Sequence, residues 1–234
     1  MRLSSGLCTL LVAVACGCEL LLTARIAIGQ GMVTGTVIIL ERGAKSGQDV
    51  AEAVVYLVGD GAPVRTGTAM DNAVVMMKDR EFVPHVQVVR AGGTVAYPNK
   101  DPFSHNVFSN SAQGAFDLGL YRTGASRATL FARSGVYAVY CNIHARMVNF
   151  VLALNTPYVA RVTRNGSFQI TGVPVGTYRL HAWHERAAES VQTVTVSSTG
   201  ADGLTVALDA RSYLPVPHPD KFGKPYASTR ADRY

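Results

Sequence analysis

Apolar residues recur at every second position over short stretches along almost the whole chain. Examples are Val33-Thr34-Gly35-Thr36-Val37, Val86-Gln87-Val88, Thr94-Val95-Ala96-Tyr97 and Val136-Tyr137-Ala138-Val139-Tyr140. After these come Ser167-Phe168-Gln169-Ile170, Thr177-Tyr178-Arg179-Leu180, Val191-Gln192-Thr193-Val194 and Leu204-Thr205-Val206. Val, Thr, Tyr and Ile dominate, as half-buried strands require. Gly92-Gly93, Asn165-Gly166 and Asp202-Gly203 fall between them and supply hairpin and turn chemistry. No stretch of twelve residues carries a helical stripe. The pattern predicts an all-β sandwich architecture of many short strands.

The 234 residues are 48% hydrophobic and 16% charged, which excludes a disordered chain and requires a real core. That length gives room for one or two domains. The net charge of +6 comes from cations that are not clustered, so no nucleic-acid partner is predicted.

The first thirty residues stand apart. Arg2 precedes an apolar run from about Leu7 to Leu22, and the small-residue exit Ala27-Ile28-Gly29 follows. This reads as a signal peptide over 1–29, cut after Gly29, and predicts a periplasmic or secreted protein. Glu19 interrupts the apolar run. Ala13-Val14-Ala15-Cys16 is a poor lipoprotein box, which leaves a lipid anchor at Cys16 or a retained N-terminal anchor as alternatives. No later segment is apolar for long enough to span a membrane.

Of the four cysteines, at 8, 16, 18 and 141, the cut would leave only Cys141. A single thiol in an exported protein has no internal disulfide partner. It is therefore buried, paired with another chain, or occupied by a metal. Its neighbours favour the last. Cys141-Asn142-Ile143-His144-Ala145-Arg146-Met147 places a thiolate, an imidazole and a thioether within seven residues at a strand end. His105 follows another strand and the turn Asn99-Lys100-Asp101-Pro102-Phe103. Two imidazoles, one thiolate and a weak axial thioether are the donor set of a mononuclear electron-transfer copper centre. Thiolate and thioether are soft and suit Cu(I), whereas imidazole tolerates both Cu(I) and Cu(II). Zinc is the nearer rival, but it has little use for Met and more often shows a second Cys or a carboxylate.

Residues 73–154 resemble a cupredoxin of the amicyanin/plastocyanin type. The matching pieces are Met77-Lys78, Phe82-Val83-Pro84, the run from Val86 to Val95, Asn99, His105-Asn106-Val107, Gly135-Val136-Tyr137, Cys141, His144 and Met147. The tight C-x2-H-x2-M loop is nearest to amicyanins. The resemblance implies a Greek-key sandwich holding one type 1 copper on His105, Cys141, His144 and Met147, with electron transfer as the activity. It also implies that Asn106 ties the two ligand loops together and donates to the thiolate. His144 would lie near the surface in an apolar electron-transfer patch, for which Phe103, Met147 and Phe150 are the candidates. The alternative is that both Phe are core. Ala145 departs from the pattern, because such loops usually carry Pro there.

A second resemblance flanks the first. Gly35-Thr36-Val37 and Ala53-Val54-Val55-Tyr56-Leu57 lie before it, Gly166-Ser167-Phe168 and Pro174-Val175-Gly176-Thr177-Tyr178-Arg179-Leu180 after it. Together these resemble a carboxypeptidase regulatory-like (transthyretin-like) β-sandwich. On this reading a smaller sandwich is split over 30–68 and 155–210, and the copper domain, 70–154, is inserted into it. The alternative makes 32–68 an extension of the copper domain. The whole chain resembles bacterial plastocyanin-like or methylamine utilisation proteins.

The segment 211–234, with Pro215, Pro217 and Pro219, reads as an extended surface tail. In His181-Ala182-Trp183-His184-Glu185 the two His lie on opposite strand faces and do not chelate one ion. His85 and His218 have no companions and read as surface residues.

The resulting expectation is an exported blue-copper electron carrier with a redox donor and a redox acceptor as partners. A non-redox copper binder, or a partner-binding module, stands as the alternative. The chain has no His-x-His pairs for a trinuclear oxidase centre and no placeable Ser/His/Asp set, so it is not expected to be an enzyme.

Overall fold

The computed structural model describes residues 30–42, 49–59 and 71–226. The signal-peptide reading, Cys16 and the last residues of the tail lie outside them. Among the described residues no helix is long and apolar enough to cross a membrane.

The described residues begin with β1 (Gln30–Leu40) and β2 (Val54–Gly59), with a short 3-10 turn at Val50–Glu52 between them. Five strands follow: β3 (Asn72–Val74), β4 (Met76–Lys78), β5 (Glu81–Val83), β6 (Val86–Arg90) and β7 (Gly93–Pro98). Then come β8 (His105–Ser109), β9 (Phe116–Tyr121), β10 (Ser126–Phe131), β11 (Gly135–Cys141) and β12 (Val148–Leu154). The last are β13 (Val159–Arg161), β14 (Ser167–Pro174), β15 (Gly176–His184), β16 (Ala187–Val196) and β17 (Ala201–Asp209). The all-β expectation holds.

Strands β3 to β12 pair among themselves. One sheet runs β6-β12-β11-β8-β9, and it is faced by β10-β7-β3 and the β4-β5 hairpin. Alternate residues point inward between these layers, as in Tyr137, Val139 and Cys141 of β11 and Val95 and Tyr97 of β7. With Phe131, Val107, Met77 and Met147 they form one core. The remaining strands make a second sandwich, with sheets β14-β1-β17 and β13-β2-β15-β16. Its core includes Val33, Val37, Leu57, Phe168, Leu180 and Leu208.

A third apolar cluster joins the two sandwiches. Val86, Leu152 and Leu154 of the inner one meet Val54 and Trp183 of the outer one. These side chains sit on the faces of β6, β12, β2 and β15 turned away from their own cores, and burying them removes apolar area from water. Polar contacts fix the registration. His85 pairs with Glu185 at 3.0 Å, and the Arg161 guanidinium donates to the Val86 carbonyl.

Two sequence readings change here. Phe150 is not part of a patch around His144. It tilts against Trp183 at 5.4 Å and stands edge-on to His85, in the joint between the sandwiches. The cause is the period of two: Asn149, Val151 and Ala153 are buried on the inner side of β12, so Phe150 projects the other way. His85 and His218 are not lone surface residues. His85 belongs to the joint, and His218 stacks on Tyr140 at 4.0 Å with 22° between the rings.

Candidate metal centre

Cys141 is the last residue of β11 and lies opposite Val107 of β8. That pairing puts it beside His105, which starts β8. The loop after Cys141 turns at once, with the Met147 amide donating to the His144 carbonyl and the Cys141 amide to the Met147 carbonyl. Three side chains converge as a result. Cys141 Sγ lies 3.5 Å from His105 Nδ1 and 3.6 Å from His144 Nδ1. The three donor atoms all fall within 4.8 Å of one another. Met147, 1% exposed, packs in the same core as Cys141. A soft thiolate beside two imidazoles is a donor set that copper takes.

The polypeptide around these donors is strongly specified. Asn99 is fully buried; its Oδ1 accepts from the Asp101 amide at 2.9 Å and its Nδ2 donates to the Phe103 carbonyl at 2.8 Å. This side chain replaces backbone pairing and shapes the loop that delivers His105. Asp101, which the sequence reading gave no role, accepts from His105 Nε2 at 2.8 Å. A proton on Nε2 leaves Nδ1 as the bare nitrogen facing Cys141. Asp101 also accepts from the amides of Asp79, at 2.5 Å, and Arg80, at 3.0 Å. These two turn residues have φ of 59° and 61°, a left-handed conformation costly for side chains of this kind. Burial alone would raise the Asp101 carboxyl, but the Arg80 amide, His105 and the Asp79 amide outweigh it and hold its pKa below the usual carboxylate value.

Burial pushes the Cys141 thiol up, opposed by the amides of Asn106, Ile143 and His144, which donate toward the sulfur. Those amides stabilise a thiolate once a cation sits beside it. Asn106 thus acts through its backbone. Its amide points at the sulfur, and its carbonyl accepts from the Asn142 amide at 2.8 Å, which joins the segments that carry His105 and Cys141. Its side-chain amide is engaged elsewhere, donating to Asp117 at 2.5 Å.

His105 is fully buried, whereas His144 is only half-buried. Phe103 lies against both rings, at 5.3 Å from His105 and 5.4 Å from His144, and carries the Arg80 guanidinium over its face at 5.3 Å. Ile143, 45% exposed, adds an apolar side chain next to His144. The other cluster singled out in the sequence does not assemble into a metal site. His181 stacks on Tyr56 and meets Glu189, while His184 turns to Asp49.

Comparison with known proteins gives two separate likenesses. Residues 145–204 match the family profile of polysaccharide lyase family 4, domain II. Among solved structures, a purple cupredoxin from Nitrosopumilus maritimus is 23% identical, covering 35% of this chain and 99% of that one, with a TM-score of 0.32. Amicyanin from Paracoccus versutus is 20% identical, covering 42% of this chain and 98% of its own, with a TM-score of 0.34. A mutant of amicyanin, in its reduced Cu(I) form, is 22% identical over 42% of this chain and 86% of that one, with a TM-score of 0.33. No curated protein matches the sequence.

Proposed function

We propose that this chain is an exported copper protein of the cupredoxin class, which passes single electrons between a redox donor and a redox acceptor. The observation that carries the reading is the convergence of His105 Nδ1 and His144 Nδ1 on Cys141 Sγ, with Met147 closing the same loop. These residues would hold one copper ion, and bound copper supplies a one-electron Cu(II)/Cu(I) couple. Cys141 provides the soft thiolate. His105 is held in one tautomer by Asp101, and buried packing keeps the donors from rearranging when the charge changes. His144, half-buried beside Phe103 and Ile143, is the ligand nearest to an approaching partner and gives the electron a short way out.

The test is to purify the exported chain, add Cu(II), and record the visible and EPR spectra. An intense thiolate-to-copper band with narrow hyperfine splitting is expected, and Cys141→Ser removes both. A colourless product, or one that prefers zinc, overturns the reading. Mass spectrometry of the same material tests cleavage after Gly29 against lipidation at Cys16.

A second reading, a partner-binding module, has one observation in its favour. A cleft of about 460 Å³ between the sandwiches is lined by Tyr56, Tyr158, Arg179, His181 and Val136 among others. Stable binding of a partner without redox cycling of the copper would support it.

A further inference from the structure

We propose that segment 218–226 is a strap that positions the metal-ligand loop, with Tyr226 as its anchor on Cys141. The effect on metal rests on reading His105, Cys141, His144 and Met147 as the copper ligands; the effect on the loop does not.

The strap begins on the outer sandwich. After β17 ends at Asp209, Pro215, Pro217 and Pro219 keep the chain extended and reduce the freedom it loses on docking. It then runs onto the outer face of the inner sandwich. His218 lies flat on Tyr140, the residue before Cys141, and its ring is also 6.4 Å from Phe108. This cover explains why every residue of β8 is buried, on both faces of the strand.

Next, Asp220 closes a small turn. Its amide donates to the Lys224 carbonyl at 2.8 Å, and its side chain accepts from the amides of Phe222 and Lys224. The turn presents Lys221 in two directions. The Lys221 amide donates to Asn142 Oδ1 at 2.8 Å, inside the ligand loop. Its ammonium pairs with Asp117 at 2.6 Å, and Asp117 in turn holds the Asn106 side chain, next to His105. Finally the Tyr226 hydroxyl donates to the Cys141 carbonyl at 2.8 Å. The Cys141 amide already donates to Met147, so both backbone groups of the cysteine are fixed. One short segment therefore grips Cys141, the residue after it, and the neighbour of His105. A loop held at that many points has fewer arrangements available when its ion leaves, which slows release.

The experiment uses the full chain and three variants: Tyr226→Phe, Lys221→Ala, and the triple His218→Ala/Lys221→Ala/Tyr226→Phe. Amide hydrogen exchange is followed in the copper-free protein, and copper release to a chelator in the loaded one. Tyr226→Phe and Lys221→Ala are each expected to speed exchange over 141–147 several-fold while leaving β1 and β15 unchanged. The triple variant is expected to speed it at least tenfold and to speed copper release by a similar factor. Lys221→Arg, which keeps the cation facing Asp117 that Lys221→Ala removes, is expected to stay close to the parent. Unchanged exchange in the triple variant overturns the strap. Faster exchange with unchanged release overturns its role in positioning the metal ligands. If the parent takes up no copper, the functional reading fails while the exchange arm still decides the strap.

Discussion

Nε2 of His105 donates to Oδ2 of Asp101 at 2.8 Å, and that contact decides which ring nitrogen faces Cys141. A carboxylate behind a ligating imidazole fixes its orientation and strengthens it as a donor. Asp101→Asn keeps an acceptor but loses the charge, and is expected to lower copper affinity by roughly 10–100-fold. Asp101→Ala also strips the acceptor from the Asp79 and Arg80 amides and is expected to cost about 2–3 kcal/mol of stability. Chelator competition and thermal melts of both variants check this. Equal affinities in parent and Asp101→Asn would count against the tautomer argument.

The joint between the sandwiches carries a pH dependence. His85 and Glu185 meet at 3.0 Å, with side chains 30% and 20% exposed. The hydrogen bond to Glu185 is the main influence on His85 and raises its pKa above 6.5; burial opposes it, and Glu52 adds to the rise. Folding thus favours the protonated ring. Its contribution is complete below the unfolded value of about 6.5 and is lost as pH climbs through the raised folded value. Melts of the copper-free chain are expected to show stability falling over this range, with His85→Gln and Glu185→Gln flattening the fall. The same slope in His85→Gln would assign it to another group.

Trp183 is 8% exposed and packs on Phe150 across the joint. Trp183→Ala removes the largest side chain of that cluster and is expected to cost about 3–5 kcal/mol. The visible spectrum of the copper-loaded protein is expected to be unchanged, because the joint lies on the outer side of β12. Denaturant unfolding and absorbance together test both halves.

Gly35 of β1 admits no side chain. A Cβ there would lie 2.4 Å from the Leu204 carbonyl oxygen and 2.8 Å from the Phe168 ring. Gly35→Ala has to push β17 or Phe168 aside, and is expected to destabilise the outer sandwich by about 3 kcal/mol. Copper uptake by the inner sandwich is expected to persist. A melt that matches the parent would show that the strands yield without cost.

Much of this is legible in the sequence because it is local. The period of two marks the strands, and Cys141, His144 and Met147 sit in one tight loop whose spacing is itself a signal. His105 can be placed because a strand end and a Pro-bearing turn precede it. Asp101 is harder to see: a carboxylate four residues before a histidine in a turn has no pattern of its own, and its role depends on the β4–β5 turn folding back onto it. Phe150 is misread because an apolar residue near a ligand loop says nothing about which face of the sheet it takes. His218, Lys221 and Tyr226 carry no assignable signal, since their partners Tyr140, Asn142 and Cys141 are distant in sequence and the tail has no periodicity.

The placement of β1 has a consequence for how the chain is made. Thr36 of β1 pairs with Ser167 on one side and Thr205 on the other, so β1 has both edges open until β14 is made and one edge open until β17 is made. Every pairing of the inner sandwich lies between Asn72 and Leu154 and can form earlier. The pocket of His105, Cys141 and His144 can therefore take shape before β14 and β17 close on β1, and segment 218–226 reaches it only after those strands. A site built in that order stands open before the strap lies across Tyr140 and Asn142, and is held at more points afterwards.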